Sequence, residues 1–258
     1  MSLARLALRV ATVEALRGRT MVGENVRDSD IRAIDIAADG SLRTAEDRPF
    51  VVVYADDGRA TETPLRDLHA NGEVDLVLEF GIATPMTETD PETGESVLVL
   101  ETTVPATDAA FEMALDIIDR QIASALAGEG KWPTIWKRLS DGVVKVERRR
   151  AVSAEQGVRF AARQMVVTVA LKPDPVMGAP LGGVWEAFVA AIAEDREDLA
   201  PIVAEMMLGT EAGTLTVQHL RERFGHTPTE SAALGYGPLH VGGEEYVIDE
   251  PVIDGNPA

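Results

Sequence analysis

The most constraining feature of this sequence is a ten-residue segment in which apolar and polar side chains alternate. Val74, Leu76, Leu78, Phe80 and Ile82 occupy every second position, with Asp75, Glu79 and Gly81 among the residues between them. A period of two is the side-chain period of a β-strand that buries one face. Because the buried face must pack against another layer, the segment predicts a sheet that other elements cover on one side.

Residues 50–54 predict a second strand. They form a short run rich in β-branched and aromatic side chains, and the Asp56-Asp57-Gly58 sequence after them is typical of a turn. Residues 97–100 are another apolar run, reached from the alternating segment through the loop 84–96. The short separation predicts a long β-hairpin between residues 74–83 and 97–100.

Two more strands are expected at residues 143–152 and 158–171, joined near residues 153–157. The second is long enough to cross a whole sheet.

Helical spacing of apolar residues predicts two helices that could cover such a sheet. The first spans residues 3–17, and its apolar positions end at a glycine suited to a C-terminal cap. The second spans residues 108–127, with Thr107 as the expected N-cap and Asp108 complementing the helix dipole. A shorter helical turn is expected at residues 132–139, ended by Asp141-Gly142.

The chain changes character after Pro173 and Pro175, where helical patterns replace strand patterns. We therefore place a domain boundary within residues 172–182. The predicted fold class is α+β: an antiparallel sheet flanked by two helices over residues 1–172, then a helical C-terminal extension over residues 173–258. The last 18 residues are expected to form an extended arm.

Composition limits the functions that need testing. The 258 residues include no cysteine, which excludes disulfides and thiolate chemistry. The formal net charge of -19 repels phosphate and argues against nucleic-acid binding as the main role. No run reaches the roughly 18 apolar residues that a membrane-spanning helix needs, and residues 1–18 lack the apolar core of a signal peptide, so we interpret them as folded protein.

Two patterns near the end of the chain resemble binding motifs. His219, Glu222 and His226 have helical metal-ligand spacing, but Gly225 is expected to end the helix before the third residue. Residues 215–237 have the outline of a helix-turn-helix, yet the second helix would lack the basic and amide side chains that read DNA. We expect neither a metal site nor DNA reading here.

The acidic pairs Asp28/Asp30, Asp56/Asp57 and Glu194/Asp195 lie in polar segments that would not shift their pKa values for acid-base catalysis. The sequence also lacks a Gly-rich phosphate loop, a nucleophile elbow and a paired-histidine zinc motif. We therefore predict a protein that is not an enzyme and that binds no cofactor.

Six basic residues cluster on the two last predicted strands of this acidic chain: Lys145, Arg148, Arg149, Arg150, Arg159 and Arg163. One interpretation is a solvated, charged sheet face. The other is a subunit interface, in which the basic face of one copy meets an acidic face of the next. Candidate residues for the acidic face are Asp56, Asp57, Glu92 and Glu95.

Residues 9–18, the Val26-Arg27-Asp28-Ser29 sequence and the strand at 49–54 together resemble tail terminator and minor tail proteins of siphovirus-like bacteriophages and gene-transfer particles. The order of elements over residues 74–171 is similar to theirs. The chain is longer than most such proteins, and the resemblance does not extend to the helical segment after Pro173.

The resemblance implies a virion protein of the tail or neck, assembled in the host bacterial cytoplasm. Its partners would be further copies of itself in a homohexameric ring, the tail tube protein and the head-tail connector or stopper protein. Such a ring caps the tail tube, stops its polymerisation and joins it to the head-side connector, while DNA passes only as cargo. An acidic lumen would let that DNA slide, and no membrane is involved.

Two alternatives remain open at the level of sequence. A different neck or head-completion connector would form twelve-fold rings at the portal instead of six-fold rings on the tube. A small-molecule enzyme that uses an acid pair would require a carboxyl group with a raised pKa in a cleft.

Overall fold

The computed structural model describes the chain in fourteen pieces, and every structural statement below concerns them. They are residues 2–30, 35–36, 42–43, 48–61, 67–83, 87–89, 92–94, 96–98, 108–153, 160–175, 181–207, 224–234, 240–241 and 244–245.

Eleven strands and six helices make up these residues. The strands are β1 Val26–Asp28, β2 Asp35–Ile36, β3 Leu42–Arg43, β4 Phe50–Arg59, β5 Gly72–Ala83, β6 Thr87–Thr89, β7 Ser96–Leu98, β8 Ser140–Ser153, β9 Phe160–Leu171, β10 His240–Val241 and β11 Glu244–Glu245. The helices are α1 Leu3–Leu16, α2 Asp108–Ala127, α3 Lys131–Leu139, α4 Val184–Asp195, α5 Ala200–Met207 and α6 Pro228–Ala233. None of these helices is both long enough and apolar enough to cross a membrane.

The predicted α+β class is confirmed, with one difference in the sheet. Five strands pair in the order β1-β4-β5-β9-β8, and the four from β4 to β8 are antiparallel. At the β4 edge, β1 pairs in parallel, so the sheet is mixed. Sequence reasoning treated residues 19–48 as irregular and missed β1, which has only three residues and only Val26 buried.

One face of the sheet carries the helices. The alternating side chains of β5 point toward this face, where Leu76, Leu78 and Phe80 are fully buried. Helix α1 packs on β4 and α2 on β5 and β9, which confirms the layer predicted from the period of two. Helix α3 packs against both of these helices.

The Asp56-Asp57-Gly58 sequence does not form the predicted turn. Strand β4 continues to Arg59, and its pairing with β5 shifts register between Ala55 and Gly58. A β-bulge absorbs the extra residue and bends the strand, so turn-type residues are accommodated without ending it.

The predicted hairpin between residues 74–83 and 97–100 is wrong. Strand β5 is paired along both edges, with β4 on one side and β9 on the other, so neither edge is available to β7. Strand β7 pairs with the short β6 instead. The expected Thr107 cap of α2 lies outside the described residues.

The segment just after β9 returns to the start of the chain. The Asp174 carboxylate accepts hydrogen bonds from the backbone N–H groups of Leu3 and Ala4, at 3.0 and 2.9 Å, and from the Ser2 hydroxyl at 2.7 Å. It therefore caps α1 from 170 residues away in sequence, where a negative charge also complements the helix dipole.

Helix α4 packs on α3 and contributes Phe188 and Ile192 to the same apolar core as α1 and α2. The Arg196 guanidinium, just after α4, also pairs with Glu14 of α1 at 3.0 Å. The domain division within residues 172–182 stays a prediction, as does an extended arm at the end of the chain.

Candidate assembly surface

The strand pairing divides the predicted basic cluster between the two faces of the sheet. Arg148 lies opposite Met165, and Arg150 lies opposite Arg163, all on the face that carries the helices. Lys145 and Arg149 are an odd number of residues away from Arg148 and Arg150, so they lie on the other face. The sequence cluster is therefore two separate groups of cations.

The group on the helix face is paired within the chain. Helix α2 presents Glu112, Asp116 and Asp119 along one flank, because these positions follow helical spacing. Arg148 Nε lies 2.8 Å from Asp119, Arg150 Nη2 lies 2.6 Å from Glu112, and Arg163 Nη1 lies 2.6 Å from Asp116.

These ion pairs, called the α2 seam below, link α2 to β8 and β9. Asp119 is nearly buried, with 12% of its side chain exposed, and Arg163 is exposed to 16%. The hydrogen bond to Asp119 raises the pKa of Arg148 above its ordinary value. The arrangement gives Arg148, Arg150 and Arg163 a structural role, which sequence reasoning did not foresee.

The cations on the opposite face are open to solvent. The side chains of Lys145 and Arg149 are 59% and 67% exposed, and they flank Glu147 at 3.0 and 4.0 Å. The hydrogen bond from Lys145 lowers the pKa of Glu147. Both cations contact Glu147 within the chain, and their exposed side chains can also reach a partner from this face.

A groove of about 350 Å³ crosses this face between β4 and β8. Its ten lining residues are Asp57, Gly58, Arg59, Glu73, Asp75, Val144, Lys145, Glu147, Arg149 and Thr168. Asp57, predicted for the acidic side of the interface, thus shares one groove with two of the basic residues. A hydrogen bond from Arg59 lowers the pKa of the Asp57 carboxyl, which holds its negative charge in place.

The outer edge of β8 carries a feature that the sequence analysis did not single out. Strand β8 is the last strand of the sheet; no described strand is hydrogen-bonded to its outer edge, and the short strand β3 lies in contact with β8. Val143, Val144 and Val146 are 50%, 53% and 42% exposed along this strand. Val143 and Val146 lie opposite Val169 and Val167, on the face that carries the helices, whereas Val144 lines the groove on the other face. A long edge strand with exposed apolar side chains is a template for contact with another chain.

Outside β8, the exposed large apolar side chains include Ile202 of α5 as well as Leu68, Met113, Ile117 and Leu234. Ile202 is 52% exposed, and Glu205 one turn further along and Glu197 just ahead of the helix are also exposed. Asp198, by contrast, is held by Arg196 at 2.7 Å. The α5 region therefore presents an aliphatic side chain beside carboxylates.

The remaining predicted residues are less informative. Asp56 is exposed, and its carbonyl oxygen accepts a hydrogen bond from Arg5. Glu92 is exposed as well. Arg159 and Glu95 lie outside the residues whose side chains the structure describes, and so do His219 and Glu222 of the weak metal pattern. Within the described part of the chain, no three His, Asp or Glu side chains are grouped as metal ligands would be.

Comparisons with known proteins assign the chain to no family. A scan against protein-family models finds no match, and a search of curated proteins finds no significant similarity.

Proposed function

We propose that this chain is a structural assembly subunit of the tail terminator type. Copies of it would form a ring that caps the tail tube of a long-tailed phage or gene-transfer particle, stops its polymerisation and joins it to the head-side connector. The observation that supports this proposal most directly is the β8 edge, with its exposed valines and its two solvent-exposed cations.

An edge of this kind suits a contact between subunits. Exposed aliphatic side chains provide the apolar area that binding removes from water, and the charges beside them orient the approaching chain. A ring needs a contact that joins two different surfaces of identical subunits and closes after a fixed number of copies. An edge strand on one side of the molecule supplies one of these two surfaces.

The charge of the chain is compatible with a ring around DNA. Six copies at -19 each carry 6 × -19 = -114 formal charges. If part of that charge faces the lumen, it keeps passing DNA from adhering, because DNA binding relies on clustered Lys and Arg. The three arginines that face α2 are already paired within the chain, which leaves fewer cations to attract phosphate.

The test combines purified protein with tail tubes of the same particle. We expect light scattering to give six copies of 27.7 kDa, about 166 kDa, or negative-stain images to show a cap on tube ends when both components are mixed. Deletion of the gene should yield tails of irregular length. Twelve-fold rings would instead favour a connector at the portal, and a chain that stays monomeric and ignores tube ends would overturn the proposal.

A further inference from the structure

We infer that the ring contact joins the β8 edge of one copy to the acidic α5 surface of the next. The β8 edge surface consists of Val144, Lys145 and Arg149, which share the face of the sheet opposite the helices. The acidic α5 surface consists of Glu197, Ile202 and Glu205. This inference rests on the proposed function, since it names the surfaces through which the subunits of that ring would bind each other.

The two surfaces match in polarity. Each has an exposed aliphatic side chain beside its charges, with Val144 at 53% exposure and Ile202 at 52%. Subunit contacts commonly combine an apolar centre with a polar rim, because the centre supplies most of the affinity and the rim excludes wrong partners.

The two surfaces are opposite in charge. Lys145 and Arg149 are positive and largely exposed. Glu197 and Glu205 are negative and exposed, and no ion pair among the described residues uses either of them. Because the chain is acidic, the exposed cations of β8 on one copy would be attracted to exposed carboxylates on a second copy.

A contact between two β8 edges fits less well. Antiparallel pairing of β8 with its own copy would bring the run from Arg148 to Arg150 near Lys145 or near itself, and like charges across a strand pair are unfavourable. Such a contact also has two-fold symmetry and ends at a dimer. A contact between β8 and α5 joins different surfaces and can therefore continue around a ring.

The fold places the two surfaces on separate layers. Strand β8 belongs to the sheet, whereas α5 packs on α4, which packs on α3. Each copy can therefore use its β8 edge toward one neighbour and its α5 surface toward the other, as a closed ring demands.

Charge reversal provides the test. The Arg149→Glu variant and the Glu205→Lys variant should each raise the concentration for half-assembly by about tenfold or more, since every contact in the ring would then oppose like charges. The matched controls are Arg120→Glu and Glu129→Lys, which reverse exposed charges elsewhere, and these should leave assembly unchanged. Thermal unfolding of each variant verifies that the fold is retained.

The combined variant Arg149→Glu/Glu205→Lys discriminates between the two geometries. It restores opposite charges across a β8–α5 contact, so assembly should return toward the wild-type level. In a β8–β8 contact residue 205 takes no part, so the combined variant would assemble only as well as Arg149→Glu alone. Failure of the combined variant to recover, or normal assembly of both single variants, would overturn the inference.

The outcome separates this inference from the proposed function. Wild-type rings that the single reversals leave intact would refute the surfaces and keep the ring. If the wild-type chain assembles only on tube ends, the same variants are scored by the fraction of capped tubes. A wild-type chain that neither assembles nor binds tube ends would refute both.

Discussion

Replacing Arg163 by methionine tests whether the arginines that face α2 are structural. Methionine keeps the length and much of the apolar area of the side chain but removes its contacts with Asp116 at 2.6 Å and Glu112 at 3.4 Å. Breaking a buried ion pair costs about 3–5 kcal/mol, and an exposed one contributes about 0–1 kcal/mol. Arg163 is 16% exposed and Asp116 is 68% exposed, so we expect an intermediate loss of about 1–2 kcal/mol.

Denaturant unfolding followed by tryptophan fluorescence measures that loss. The matched control is Arg149→Met, because Arg149 is 67% exposed and lies 4.0 Å from its nearest carboxylate, and its change should stay within about 0.5 kcal/mol. A double-mutant cycle with Asp116→Asn should give a coupling of about 0.5–1 kcal/mol. If Arg163→Met costs no more than Arg149→Met, or the coupling vanishes, the division of the basic residues into structural and free groups is wrong.

Three further predictions concern the fold. Gly72→Ala should destabilise the protein more than Gly94→Ala in denaturant unfolding: both glycines have positive φ, but only at Gly72 would an added Cβ overlap the backbone, at Arg59. Asp174→Ala should cost about 1–3 kcal/mol, since it removes the acceptor of the Leu3 and Ala4 N–H groups while the N-cap Ser2 remains, and an unchanged midpoint would contradict that role. Burial, followed by the charges of Glu79 and Asp30, raises the pKa of Tyr54 to about 12. The free energy of unfolding should therefore fall as pH rises from about 10 to 12, and an absorbance titration of the Tyr54→Phe variant should lack the tyrosine ionisation that occurs at the highest pH.

The elements that the sequence predicted well are those whose burial repeats at a fixed period. Helix α2 and strand β5 each bury one face, and the larger apolar residues of α1 recur at helical spacing although most of this helix is buried, so local spacing defines all three. Strand β1 has no such repeat in its three residues. It forms because β4 offers an edge beside it, and an edge supplied by a distant segment leaves no signal in the local sequence.

The wrong hairpin has a related cause. Strand β5 can pair with any strand of suitable length, and sequence proximity favoured residues 97–100. Strand β9 instead matches all twelve residues of β5, whereas β7 has three residues. Each further residue pair adds backbone hydrogen bonds and cross-strand side-chain contacts. The longer strand β9 is therefore preferred to β7 despite the larger entropy cost of closing its loop.

Parity in the sequence divides the basic residues of the candidate site between two faces of a strand, but parity alone does not say which face carries the helices. Residues 148 and 150 share one parity, and residues 145 and 149 share the other, so any strand separates them. The face is identified by the carboxylates at positions 112, 116 and 119 of α2, which pair with Arg150, Arg163 and Arg148. Acidic helical spacing opposite a basic strand is the signal that would have identified the α2 seam.

Net charge sets a limit on how such a chain can assemble. Copies at -19 each repel one another at long range, and salt screens that repulsion beyond a Debye length of about 10 Å at 0.1 M. Close contacts at the β8 edge would be screened much less where solvent is excluded, and the exposed valines contribute an apolar term that salt does not weaken. Moderate salt should therefore promote assembly, as measured by light scattering, and only high salt should weaken it. Assembly that instead declines steadily from the lowest salt concentration would show that the exposed ion pairs dominate and that the valines contribute little.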